Sequence, residues 1–360
     1  MNYRDTLIWK DICDTPDVLG SLMTENASIM NALIADVKNG NATNFIAAGR
    51  GASDHALIYF KYLLEIKTSY TVGISAPSVI TLYKGKVNYS NSIVLACSQS
   101  GQAQDVLEVV KKANEQGAIT IAITNDKFSP IAKNAKYHLY LNAGEKRAVP
   151  ATKTFSAQLF TLLWLASELS NDKEAIFTLK NLKEYLVGVL PDIDEQTTIY
   201  AEKFKNMNTC FVLARGLIYS VALETALIMQ ETNYIPVKGY SGGEFHHGHH
   251  AMVDSDTPVI IYYAKNYDEE ETQKLIRADQ IQTIDKVLGL NAPVLLVTND
   301  RVLTHYFKKC NEAFINFIVP EEFTMFAFTL FAQIFACKLS CNNGNDPDNP
   351  RAMSKVVVTK

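Results

Sequence analysis

Two kinds of residue are scarce in this chain, and each scarcity closes a door. Cysteine is one: six are spread over 360 residues with no CxxC pair, which excludes a zinc ribbon or a disulfide scaffold and predicts a reducing cytoplasmic home. Excess charge of one sign is the other. With 34 basic against 38 acidic residues the formal net charge is −4, so no basic field recruits nucleic acid, no acidic tail stands out, and an anionic ligand must be gripped locally. Long apolar runs are missing too. The longest, from Met325 to Cys337, contains Gln333 and falls short of a bilayer's thickness, and Met1-Asn2-Tyr3-Arg4-Asp5 lacks the apolar core of a signal peptide, so a soluble chain without membrane partners is expected.

What is present is strand-turn-helix units. Ile93-Val94-Leu95-Ala96-Cys97 reads as a strand buried on both faces, Val106, Leu107, Val109 and Val110 have helical spacing, and between them lies Ser98-Gln99-Ser100-Gly101. A hydroxyl-rich turn where strand passes into helix suits a phosphate, through backbone N–H groups and the helix dipole; an ordinary serine N-cap reads the same way. Asn44 to Ala48, Gly49-Arg50-Gly51-Ala52-Ser53-Asp54-His55 and an amphipathic helix from Ala56 to about Glu65 repeat the order. Further strands are expected near Tyr70–Ile74 and Ala118–Thr124, and a long apolar helix follows Thr152-Lys153-Thr154. Alternation of this kind implies a parallel, doubly wound α/β sheet with helices on both faces.

After a polar junction near Asp192 to Thr198 the pattern restarts. Cys210 to Gly216 echoes Asn44 to Gly51, and Val297-Thr298-Asn299-Asp300 echoes Ile123-Thr124-Asn125-Asp126, so one α/β unit is duplicated. The expected divisions are N-terminal helices over 1–40, a first unit over 41–190, a second over 200–340 and a tail over 341–360 that adds little to either core.

Six motifs in order resemble the sugar isomerase (SIS) domains, in particular the tandem pair in the isomerase half of glucosamine-6-phosphate synthase and its stand-alone deaminase and deglycase relatives. They are Gly51 to His55, Ser98 to Gly101, Ala151-Thr152-Lys153, Ala222-Leu223-Glu224 to Glu231, Gly243-Glu244-Phe245-His246-His247-Gly248, and Asp346-Pro347-Asp348-Asn349-Pro350-Arg351 to Lys355. Position 2 is Asn2 rather than a nucleophilic cysteine, so uptake of ammonia from glutamine is not expected.

The resemblance assigns Ser98, Gln99, Ser100 and Ser53 to the sugar phosphate, and Val149 and Thr152 to the sugar; Ala52 and Ala103 replace two hydroxyls found in the synthases. It makes Glu231 the base that moves a proton between C1 and C2, with Glu224 two turns away on the same helix face. A solvated or salt-bridged helix face is the plain alternative. It makes His247 the ring-opening acid and base, reaching a neighbouring subunit's site in a homodimer with shared active sites. The run His246-His247-Gly248-His249-His250 also invites a metal, but no cysteine or spaced carboxylate completes a set, so no metal and no cofactor are expected. Lys355 becomes the Schiff-base amine, where a basic tail end would otherwise be read. The expected activity is an amino-sugar-phosphate isomerase and deaminase turning glucosamine 6-phosphate into fructose 6-phosphate and ammonia. A fructosamine 6-phosphate deglycase and a non-catalytic sugar-phosphate sensor are the alternatives.

Overall fold

The computed structural model describes residues 1–265, 270–308, 313–316 and 323–353. A short 3-10 turn at Tyr3–Asp5 leads to helices α1 (Leu7–Cys13) and α2 (Thr15–Asn39), then β1 (Asn44–Ala48), α3 (Ala52–Lys67), β2 (Thr71–Ile74), α4 (Ser78–Thr81), β3 (Ser92–Cys97), α5 (Gln104–Glu115), β4 (Ile119–Thr124), α6 (Pro130–Asn134), β5 (Tyr137–Tyr140), α7 (Lys153–Ser170), α8 (Lys173–Lys180) and α9 (Leu182–Lys203). The order then repeats with β6 (Cys210–Ala214), α10 (Tyr219–Asn233), β7 (Val237–Ser241), α11 (Gly242–His246), β8 (Val259–Tyr263), α12 (Glu270–Gly289), β9 (Val294–Thr298), α13 (Arg301–Lys308), β10 (Ala313–Asn316) and α14 (Thr324–Asn342).

The chain divides into two compact units, one of residues 13–184 and 352–360, the other of residues 1–12 and 185–351. Each holds a five-stranded sheet whose strand pairings are all parallel. Their orders are β2-β1-β3-β4-β5 and, read from the other edge, β7-β6-β8-β9-β10. The two sheets thus have the same topology, as expected of a duplicated, doubly wound α/β unit. In both, the order reverses between the first and third strands, the place at whose strand carboxyl ends open parallel α/β sheets bind their ligands.

The all-buried strands β3, β6, β8 and β9 explain the unbroken apolar runs, since crossover helices cover both faces of a parallel sheet. Helix α14 outruns the apolar stretch that marks it and is long and apolar enough to cross a bilayer, yet its most apolar window is wholly buried inside the protein. It is a core helix. Among the described residues Cys97, Cys210, Cys337 and Cys341 are free thiols; Cys310 lies outside them.

Two expectations need correcting. The polar stretch from Asp192 to Thr198 lies inside α9: Ile193, Thr197 and Ala201, one helical turn apart, are buried, Asp194 is buried beside them in an ion pair with Lys338, and Asp192, Glu195 and Thr198 face outward. The tail is also more than an appendage. Pro347 and Pro350 are buried, and the Asp348 carboxylate accepts hydrogen bonds from Leu7 N at 2.7 Å and Ile8 N at 2.8 Å.

Candidate active site

In the unit of residues 13–184, β1 and β3 are neighbours in register, Ala48 opposite Ala96, so the turns that follow them emerge side by side. The turn after β3 is pinned by its own backbone. Ser98 N donates to Ile123 O at 3.0 Å, Asn125 N to Gln99 O at 2.9 Å, and Ile131 N to Gly101 O at 3.2 Å. Gly101 has φ +63°, and a Cβ there would fall 2.1 Å from Ser129 Oγ; a left-handed backbone and no room both demand glycine.

The serines here do not cap the helix. Helix α5 has Ala103 at its N-cap, with no side-chain cap. Instead Ser98 Oγ accepts from Gly101 N at 3.1 Å and Ser100 Oγ from Gln102 N at 3.3 Å, which orients both hydroxyls on the turn itself. Ser98 is buried, whereas Gln99 and Ser100 are half-exposed.

Ser53 sits inside the first turn of α3, which begins at Ala52, earlier than its apolar spacing implies. It is buried and its Oγ accepts from Gln158 Nε2 at 2.9 Å. Because Gln158 belongs to α7, that bond joins the first turn of α3 to the helix that follows Thr152. Thr152 is buried at the N-cap of α7, and Val149 is half-buried just before it.

Charges that sequence reasoning passed over frame this group. Arg50, between the two glycines of the first turn, donates through Nε to Asp105 Oδ2 at 2.8 Å, with Nη2 at 2.6 Å. Asp105 is buried in the first turn of α5, so this ion pair ties one loop to the helix beyond the other; the Arg-Gly pair was the available signal. Asp14 likewise gathers Lys153 Nζ at 3.0 Å and Arg147 Nη1 at 2.8 Å, holding the Val149–Thr152 segment from both ends. Burial pushes the Asp54 carboxyl up, against the pull of His55 and Arg50. Burial also pushes the Cys97 thiol up to about 12, which keeps it a neutral packing group.

The unit of residues 1–12 and 185–351 carries the acid-base candidates. Glu224 is buried and Glu231 half-buried on α10, about 10 Å apart along the axis. The rotation of α10 is set by Asn233 Nδ2 to Ala336 O at 3.1 Å, Ser340 Oγ to Thr232 O at 2.8 Å, and Thr225 Oγ1 with Tyr262 OH at 3.0 Å.

The histidines scatter. His246 Nε2 bonds with Thr283 Oγ1 at 3.0 Å, the ring of His249 stacks on Tyr240 at 4.0 Å, and His250 Nδ1 lies 3.4 Å from Phe245 O. His247 is exposed just before Gly248, whose φ is +121°. Among the described residues no three His, Cys, Asp or Glu side chains converge as a metal site would need. Lys355 lies outside the described residues.

The structure therefore gathers Ser53, Ser98, Gln99, Ser100 and Thr152 in one unit, and places Glu224, Glu231 and His247 in the other. A tandem pair of parallel α/β units, the first with a hydroxyl-rich loop at its topological switch point, defines the class. The chain belongs to the SIS domain family, whose model matches residues 41–168 and 203–340. It is 27% identical over 98% of its length to the glutamine–fructose-6-phosphate aminotransferase [isomerizing] of Sulfolobus acidocaldarius, covering 56% of that protein, and 29% identical over 94% of its length to that of Thermotoga maritima, covering 58%. The chain thus spans just over half of these relatives. In fold it is similar to the C-terminal domain of glucosamine-fructose-6-phosphate aminotransferase from Francisella tularensis, with TM-score 0.81, 21% identity and coverage of 96% of this chain and 98% of that one. It is also similar to glucosamine-6-phosphate deaminase from Thermotoga maritima, with TM-score 0.71, 21% identity and coverage of 98% and 100%.

Proposed function

We propose that this protein is a cytoplasmic sugar-phosphate isomerase that deaminates an amino-sugar phosphate, converting glucosamine 6-phosphate and water into fructose 6-phosphate and ammonia. One observation carries the reading. The Ser98–Gly101 turn lies at the switch point of its sheet with its hydroxyls held on the turn rather than spent as a helix cap, the arrangement a phosphate dianion needs when no cation is dedicated to it.

In this reading Ser53, Ser98, Gln99 and Ser100 hold the phosphate, while Val149 and Thr152 border the sugar. His247 protonates the ring oxygen and takes the anomeric proton as the ring opens. Glu231 then removes the C2 proton and returns it to C1, leaving an imine at C2. The amine of Lys355 displaces ammonia from that carbon, and water hydrolyses the resulting Schiff base to the ketose and the free lysine. Glu224 stands on the same helix as a substrate-side carboxylate. A homodimer with shared sites is part of the proposal, since His247 is exposed on its turn.

The test is a panel of phosphorylated amino sugars and fructosamines assayed for ammonia, amine and ketose release. Ammonia from glucosamine 6-phosphate is the expected result. Amine release from fructosamine 6-phosphates alone would make the protein a deglycase, and binding without turnover would make it a sensor.

A further inference from the structure

Ser98 and Ser100 are held by their own turn, but the Ser53 hydroxyl is held from another helix of the same unit. Gln158 Nε2 on α7 donates to Ser53 Oγ at 2.9 Å. The backbone of that serine is engaged as well, since its N–H donates to Arg50 O at 3.2 Å. It has little room to drift: a Cβ at Gly49 would meet Ser53 C at 3.1 Å and Asp54 N at 3.2 Å, so the first turn of α3 is pressed against the end of β1.

The direction of the bond decides what is left over. A hydroxyl has one proton and two lone pairs. With Gln158 as donor, one lone pair of Ser53 is filled and the proton remains to be given, more readily because accepting one hydrogen bond polarises the O–H for the next. Cys97, at the end of β3, has its thiol beside Ser53, and burial keeps that thiol protonated. A neutral thiol is a weak acceptor and does not compete for the proton.

Gln158 is a poor residue for packing alone. It is 1% exposed, and among the described residues its Oε1 has no hydrogen-bond partner. A buried amide oxygen left unpaired costs stability, whereas a methionine of similar volume would fill the space between α3 and α7 without that cost.

We propose that Gln158 is a positioning residue that fixes the Ser53 hydroxyl as a proton donor to the phosphate group of the ligand. The proposal rests on the sugar-phosphate reading for the contact between Ser53 and the phosphate, while the Gln158–Ser53 bond stands on the geometry above.

The test measures calorimetric binding of inorganic phosphate and of fructose 6-phosphate, together with melting temperature, in the full chain. Gln158→Met keeps the volume and loses the amide. It is expected to weaken both ligands by about tenfold while melting no lower than wild type, because the unpaired oxygen leaves with the amide. Gln158→Glu replaces the donor by an acceptor, which turns the Ser53 proton inward and should weaken both ligands by more than methionine does. Ser53→Ala removes the group through which Gln158 acts, so adding Gln158→Met to it should weaken binding by less than about a further twofold.

A Gln158→Met variant that melts lower and binds as wild type does would make the residue a packing group and overturn the proposal, as would full additivity with Ser53→Ala. Should the methionine variant not fold, Gln158→Glu still decides, and wild-type affinity in it would overturn the proposal. If Ser53→Ala binds both ligands as wild type does, Ser53 is no phosphate ligand and the proposal falls with it. A wild type that binds neither ligand overturns both the proposal and the sugar-phosphate reading. A wild type that binds them yet turns over no sugar phosphate fails the deaminase reading alone, and the comparison among variants still decides Gln158.

Discussion

Ser98 and Ser100 carry two duties, and their removal separates them. Each Oγ accepts one backbone N–H of the turn, so deleting both should cost about 1 kcal/mol per bond in stability. As proposed phosphate ligands they act in ground and transition state alike. The Ser98→Ala, Ser100→Ala double variant is therefore expected to raise KM about tenfold or more while kcat changes little; steady-state kinetics giving a normal KM and a depressed kcat would count against the assignment.

Asp194 shows the same logic for stability. Burial opposes its ionisation, but the Lys338 ammonium, Arg4 and Tyr3 outweigh it and hold the carboxyl below its ordinary value. A carboxyl whose folded pKa lies below the unfolded one stabilises the fold fully above the unfolded value near 4 and loses that contribution as pH falls through the folded value. Asp194→Asn leaves buried Lys338 without its anion, so it should destabilise the protein by about 3–5 kcal/mol at pH 7. Urea unfolding of both proteins should show the gap narrowing below about pH 4; a gap constant down to pH 3 would refute the pairing.

The loop after β3 is where an element's geometry and its chemistry coincide. Gly101 lets the chain turn back under Ser129, which both donates to Asp126 O at 2.9 Å and caps α6 by accepting from Ala132 N at 3.3 Å. Gly101→Ala forces a left-handed alanine, costing at least about 1–2 kcal/mol, and drives its methyl into that cap. Thermal unfolding should report the loss. Substrate KM should rise as well, since the displaced loop carries Ser98 and Ser100, and an unchanged melting temperature and KM would contradict the geometry.

The proposed dimer has a consequence that only an assembly can produce. If His247 completes a neighbour's site, Glu231→Gln and His247→Ala are each expected to lose turnover by about a hundredfold or more. Subunits exchanged between the two dead proteins then form heterodimers with one intact site of two. Activity should return to about a quarter of wild type for random pairing. Two inactive variants that stay inactive after denaturation and refolding together would mean that Glu231 and His247 serve one chain's own site, or none.

Composition and periodicity alone carried a good deal: the buried strands β3 and β6, the duplication, the Ser98–Gly101 turn and the helix bearing Glu224 and Glu231 are all legible, because apolar periodicity and turn chemistry are local. That the serines are not the helix cap was not, since cap and phosphate loop differ only in where the helix starts, and Ala103 at the N-cap is a fact of backbone geometry. Nor could local pattern reveal pairs far apart in the chain. Arg50 with Asp105, Asp14 with Lys153, and Asp348 with the first turn of α1 are brought together by sheet order and helix packing, and a charged residue in sequence carries no mark of its partner. The junction at Asp192–Thr198 misled for the same reason: Asp192, Glu195 and Thr198 are the solvent face of a helix, while Asp194 and Thr197 belong to a buried face that only the packed unit supplies.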